Sequence, residues 1–331
     1  MILFNWLHIS FNFKILYKNQ NSITYLSFII ESIMKLLISF SLFLFLNFSF
    51  VVSNDNSTKL TFKVEPIGFH HSILGEGPHW DEKKQVLYHV DIPGGAVWKI
   101  DLKNNHSESV HLGDLVSVVI PFADSDDLLV SRRNKIGRLN WASKNFTVIA
   151  EVAPELKGKE RFNDAKVDAK GRLWIGTIRD DEHGIMVGGG GFYRLDHKNF
   201  TKVSGNFTIT NGMGWSKDNK KLYLNDSEDR KTWVFDFDLE KGTISEMKKF
   251  EIKMNFFILG NRRILIDSTK HPSFQKGWNQ DGMTVDQNGK IWTALYGGGR
   301  VFQINPENGV QFVLFYQLQI LFINTICFSC C

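Results

Sequence analysis

The chain has 331 residues, 43% of them hydrophobic and 22% charged, with a formal net charge of +4. That balance excludes a mostly disordered chain, and so small a charge, with no basic stripe, excludes a nucleic-acid binder held by phosphate contacts. The 28 Phe, 9 Trp and 27 Gly residues, with few long amphipathic stretches, point to an all-β domain.

Residues 1–33 carry no usable helix or strand period and read as an upstream extension without structure. Residues 35–53, KLLISFSLFLFLNFSFVVS, set a lysine before a mostly apolar run, with Val51 and Ser53 at the −3 and −1 positions of a cleavage site. With Met34 as its start, the segment 34–53 has the layout of a secretory signal peptide. The competing reading is a membrane anchor, for which the run is short, since a span needs roughly 20 residues. The expected destination is extracellular, with no stable membrane span after cleavage. N-x-[ST] triplets beginning at Asn56, Asn105, Asn145, Asn199, Asn206 and Asn225 fit export and glycosylation, although single triplets arise by chance. The three cysteines, Cys327, Cys330 and Cys331, all stand in the last five residues, so no disulfide braces the body of the domain.

The body, residues 60–310, repeats itself. WDEKKQVLYHVDI (80–92), ADSDDLLVSRR (123–133), VDAKGRLWIGT (167–177), WSKDNKKLYLNDS (215–227) and VDQNGKIWTAL (285–295) share an acidic turn followed by a short apolar strand. Each has a partner strand: AVWKID, KIGRLN, GFYRLD, TWVFDFD and RVFQIN. The turn aspartates Asp81, Asp126, Asp168, Asp218 and Asp286 are 45, 42, 50 and 68 residues apart. A period of about 40–50 residues holding several short strands is that of a propeller blade; a β-sandwich with similar hairpins is the alternative. The last spacing is too long. The excess lies near 251–274, either as a long loop between blades or as an insertion, EIKMNFFILG, and loops beyond about 12–15 residues are uncommon.

Four phrases hold polar residues that a sheet does not need: ILGEGPHW, ERFNDAKVD, ITNGMGWS and NQDGMTVD. Each precedes the turn of its blade, and equivalent positions of successive blades converge on a propeller's central channel. Glu76, Asn163, Asn211 and Asp281 would then meet at one place. This oxygen-only set suits a hard cation such as Ca²⁺, Mg²⁺ or Mn²⁺. Taken singly, each phrase is also an ordinary turn, since N-G and D-G are common hairpin residues. His70, His71, His79, His89 and His183 lack the spacing of a ligand pair. Ser216 and Ser227 stand beside turns with no nucleophile elbow and read as structural. The glycine run 188–191 lacks the Lys-Ser/Thr of a phosphate loop.

The motifs GEGPHW, RFNDAKVDAKGRLWIGT, ITNGMGWSKD and QDGMTVDQNGKIWTALYGGGRVFQINP, in this order over about 64–310, resemble those of the SMP-30/gluconolactonase family, the regucalcin-like proteins. The resemblance implies a six-bladed β-propeller that hydrolyses sugar-type lactones with one divalent cation, Ca²⁺ first and Zn²⁺, Mn²⁺ or Mg²⁺ as alternatives. It implies Glu76, Asn211 and Asp281 as metal ligands, Asp281 also as the catalytic base, and Arg161 and Asn163 on the substrate. Asp181 stands where an acidic substrate contact is expected, in wording that departs from the family's. Family members are often cytosolic, unlike the leader read here. A non-catalytic calcium-binding or ligand-carrying propeller would use the same ligands, and a strictosidine-synthase-like propeller would share the architecture alone. The family pattern stops near Val310, and the apolar tail 311–331 lacks the turns of a further blade. The sixth blade, which would close on TFKVEPI (61–67), is expected to be missing or replaced.

Overall fold

The computed structural model describes residues 12–17, 48–51, 61–67, 72–104, 106–244, 262–315 and 326–327. Five antiparallel sheets follow one another along the chain as the blades of a propeller. Blade 1 comprises Gly75–Asp81, Val86–Asp91, Ala96–Asp101 and His106–His111. Blade 2 comprises Val119–Pro121, Leu128–Arg132, Lys135–Leu139 and Phe146–Glu151. Blade 3 is built from Glu160–Val167, Leu173–Asp181, Gly190–Asp196 and Asn199–Phe207. Blade 4 uses Thr210–Trp215, Lys221–Asp226 and Lys231–Asp238, with an outer edge shared by Thr243–Ile244 and Arg263–Asp267. Blade 5 runs through Asn279–Val285, Ile291–Tyr296, Arg300–Asn305 and Gly309–Phe315.

The repeated wording has a local cause. Asp168 Oδ1 accepts the backbone N–H groups of Lys170 and Arg172, and its Oδ2 accepts Trp174 Nε1 at 2.9 Å. Asp286 repeats this with Asn288, Lys290 and Trp292 Nε1. One carboxylate thus closes the turn and pins the tryptophan of the next strand, and Gly171 and Gly289 supply the positive φ between them.

Alternation along each strand divides its side chains between two neighbours. Leu222 and Leu224 pack toward blade 3 with Trp174, Phe192 and Phe207, whereas Tyr223 between them packs toward blade 5 with Met283, Ile291 and Phe302. Equivalent clusters lie between blades 1 and 2 and between blades 2 and 3. Burying each such Leu, Phe or Ile contributes on the order of 1.5–3 kcal/mol, so blade stacking takes the place of the absent disulfides.

Three sequence expectations change, and one open alternative is decided. The last blade extends to Phe315, beyond the expected limit at 310, because Val310–Phe315 continues the ladder against Arg300–Ile304. Asn12–Tyr17, inside the supposed unstructured extension, pairs antiparallel with Thr61–Ile67, in a separate sheet that also holds Phe48–Val51 and Ile326–Cys327. The rest of the expected leader lies outside the described residues. Asn225 is fully buried with its amide engaged inside the fold, so it cannot carry a glycan there; Asn145, Asn199 and Asn206 are exposed. Finally, Ile244 pairs with Phe237 and Arg263 with Val234, where an uninterrupted strand would place residue 247. Sixteen residues are therefore surplus between two segments that pair with the same strand, which favours the insertion over a long loop between blades. EIKMNFFILG itself lies outside the described residues. Deleting 245–260 should rejoin the edge strand in register and leave the melting temperature unchanged or higher. A drop of many degrees in a thermal melt would show that the segment belongs to the core. Among the described residues, no helix is long and apolar enough to cross a membrane.

Candidate active site and metal centre

The innermost strands of blades 1, 3, 4 and 5 each lose register at one place: between Glu76 and His79, Phe162 and Ala165, Thr210 and Met213, and Gln280 and Met283. Each break is a β-bulge, which turns side chains out of the pleat and into the channel. Asn163, Asn211 and Asp281 occupy the same bulge position. Glu76 does not: Gly77, at φ +55°, stands there, so Glu76 enters one residue earlier than its expected equivalents. Blade 4 comes very close to blade 5 at this level. A Cβ on Gly212 would lie 2.3 Å from Met283 N and 2.5 Å from Asp281 O, so only glycine fits beside Asn211.

That approach brings Asn211 and Asp281 together. Asn211 Nδ2 donates to Asp281 Oδ1 at 2.5 Å and to Ser227 Oγ at 3.0 Å. With both amide hydrogens given away, Asn211 is left with its carbonyl oxygen as the atom able to ligate a cation or accept a hydrogen bond. Asp281 is 2% exposed, and its Oδ2 is buried with no hydrogen-bond partner among the described residues. Burial chiefly, and the charge of Asp164 in addition, push the Asp281 carboxyl up to about 7, against the lowering effect of the Asn211 amide. A buried carboxylate oxygen without a partner is costly unless a cation or a proton meets it.

Glu76 and Asp281 both face Tyr296, whose phenol is raised first by burial and then by these two negative charges. Local sequence pattern does not single out Tyr296; only its place at the end of the strand opposite Asn279 marks it. Below the bulges a cavity of about 740 Å³ runs toward the turns at the other end of the blades, lined by Glu76, His79, Ser117, Asp164, Lys166 and Trp215 among others. Asn211 and Asp281 lie outside its lining. Lys166 donates to Met283 O at 2.6 Å, and burial raises Asp164 while it lowers Lys166 and His79. Asp164 and Lys166 are likewise not marked by the sequence, because alternation hides which residues of FNDAKVD a bulge turns inward. His89 is a core residue, buried and stacked on Trp98.

The expected substrate residues are gathered less completely. Asn163 Nδ2 donates to Thr210 O at 2.9 Å, next to Asn211. Arg161 lies in the same strand with its Nε 3.7 Å from Asp180 Oδ2. Asp181 is exposed, and its Oδ1 caps its own loop by accepting His183 N at 2.7 Å. Its neighbour Asp180 is the carboxylate beside Arg161.

The model of the SMP-30/gluconolactonase/LRE-like region matches residues 74–329. The chain belongs to this family. It is 34% identical to regucalcin of Gallus gallus over 254 residues, which is 75% of this chain and 76% of that protein. Human regucalcin (Homo sapiens) is 32% identical over 254 residues, with the same coverage of 75% and 76%. Among solved structures, a luciferin-regenerating enzyme superposes with a TM-score of 0.64 at 29% identity, over 74% of this chain and 76% of that one. A calcium-binding regucalcin from Agrobacterium tumefaciens shares the fold, with a TM-score of 0.61 at 23% identity over 73% and 74% of the two chains.

The residues present fit a hard divalent cation. Among the described residues no three His, Cys, Asp or Glu side chains cluster. Asn211 offers an amide oxygen, beside the unpartnered Asp281 Oδ2, and carboxylate and amide oxygens are ligands for Ca²⁺ and its relatives.

Proposed function

We propose that this propeller is a divalent-cation-dependent lactonase acting on sugar-type lactones. The buried, unpartnered Asp281 Oδ2 beside an Asn211 amide that has already spent its hydrogens carries this reading. Family membership supports a lactonase-like activity. Asp281, Asn211 and Glu76 would hold the cation, Ca²⁺ first, and when bound it would supply Lewis-acid polarisation of the lactone carbonyl. The protein's own groups do the rest. Asp281 accepts the proton of the attacking water at its carboxylate as the new C–O bond forms, and a carboxyl poised near neutrality suits that role. Arg161 and Asn163 orient the ring and donate to the carbonyl oxygen as negative charge gathers on it. The ring C–O bond then breaks, the ring oxygen takes the proton held on the Asp281 carboxyl, and a hydroxy acid leaves. No Ser or Cys nucleophile enters. Ser216 instead closes its turn through Asp218 and backbone N–H groups, and Ser227 bonds within the core.

Two further parts of the reading concern the whole chain. The segment 34–53 directs export. The plan is six-bladed with its sixth blade replaced, which fits the location of Thr61–Ile67 in a sheet with Asn12–Tyr17 and Ile326–Cys327.

Purified full-length protein should open gluconolactone, lose that activity in EDTA and regain it with Ca²⁺ or Mn²⁺. Arg161→Ala should mainly raise KM, by roughly tenfold for one lost charged contact, about 1.4 kcal/mol. Cation binding without turnover would instead establish a calcium-binding or carrier propeller.

A further inference from the structure

We infer that Asn225 and Ser227 are positioning residues that hold Asn211 and Asp281 at their mutual distance. This rests on the reading of those two residues as cation ligands. Asn225 lies at the end of the second strand of blade 4 and is fully buried. Its Nδ2 donates to Asp281 O at 2.6 Å and to Thr293 Oγ1 at 3.0 Å, while its Oδ1 accepts Thr232 Oγ1 at 2.7 Å. Ser227 Oγ donates to Gln280 O at 2.6 Å and accepts Asn211 Nδ2 at 3.0 Å. Two successive carbonyls of blade 5 are thus held by side chains of blade 4.

They are held where blade 5 cannot hold itself. Gln280 pairs with Leu295, but the ladder resumes only at Met283 with Thr293. Inside that bulge the ladder does not fix the backbone of Asp281, and a buried carbonyl needs a partner. Asn225 supplies it and so sets where the Asp281 carboxylate starts from the main chain. Ser227 ties the same bulge to the Asn211 amide. The latch therefore joins both ligand-bearing bulges from one short segment.

The fold itself does not require an amide here. The positions opposite the bulges of blades 1, 3 and 5 are His89, Gly176 and Ala294. Asp226, between the two latch residues, has a structural role that recurs in the propeller. It accepts Thr208 N and Ile209 N, as Asp91 accepts Ile73 N and Leu74 N in blade 1. Asn225 and Ser227 instead reach across to the neighbouring blade, and they do so at the candidate site.

The test is calorimetric titration of EDTA-stripped, full-length protein with Ca²⁺ and Mn²⁺. Asn225→Ala, a residue that blade 5 already uses at this position, and Ser227→Ala should each weaken cation affinity by roughly tenfold or more, about 1.4 kcal/mol. Ser131→Ala, an equally buried change in blade 2, should leave affinity within about twofold, the size expected of a site with no link to the ligands. In an Asp281→Asn background, Asn225→Ala should cost less affinity than in the wild type, because the carboxylate it positions is gone. Wild-type affinity in both latch variants, alongside a clear loss in Asp281→Asn, would overturn the latch and leave the ligand assignment standing. Unchanged affinity in Asp281→Asn and Asn211→Ala would remove the ligand assignment, and the latch with it.

Discussion

Asp281→Asn should keep the propeller folded and lower lactone turnover by on the order of 10²-fold or more. The change is nearly isosteric and leaves the backbone carbonyl that Asn225 holds. It removes the negative charge and the proton-accepting oxygen that stand beside the Asn211 amide. It also relieves a cost. The buried Oδ2 without a partner destabilises the cation-free protein, so the variant should melt no lower than the cation-free wild type above neutral pH. Steady-state rates with gluconolactone and paired thermal melts measure both effects. A wild-type rate in Asp281→Asn would exclude this residue as the base.

Cation affinity should climb steeply with pH and then level off near neutrality. The Asp281 carboxyl, pushed up to about 7 mainly by burial, holds its proton in mildly acidic solution, and that proton must leave before the oxygen can ligate. One displaced proton corresponds to about a tenfold gain in affinity per pH unit below that value. The stability of the cation-free protein moves the other way. A carboxyl whose pKa is raised by folding binds its proton more tightly in the folded state. Its contribution is therefore complete below the ordinary range near 3.8 and is lost as pH rises through about 7. Asp164, also raised by burial, adds in the same direction. Titrations at pH 5, 6, 7 and 8, with melts of the stripped protein at each, would show both trends, and Asp281→Asn should flatten them. Affinity that does not change with pH in the wild type would mean that Asp281 is already ionised, or is not a ligand.

Much of the fold was legible in the sequence because a propeller repeats its local chemistry. The five turn aspartates each mark the hairpin between the first two strands of a blade, and the tryptophans six residues after Asp168 and Asp286 are tied to them by one hydrogen bond each. The faces of Leu222, Tyr223 and Leu224, and the neighbour each face meets, came from the packing between blades. The phrases around Glu76, Asn163, Asn211 and Asp281 stood out because sheets have no use for those side chains. What one strand's sequence could not contain is the register between strands. The bulges are defined only by pairing, and they decide that Asn163, Asn211 and Asp281 are equivalent while Glu76 enters a residue early. Pairing also decided that the surplus residues before Arg263 lie between two segments that pair with the same strand. The nearness of Tyr296 to two carboxylates and the reach of Asn225 into the next blade depend on strands that only the fold brings together. Composition and local pattern determine which surfaces are apolar and where the chain turns; packing between blades determines which polar atoms lose water, and that loss brings Asp281 near neutrality.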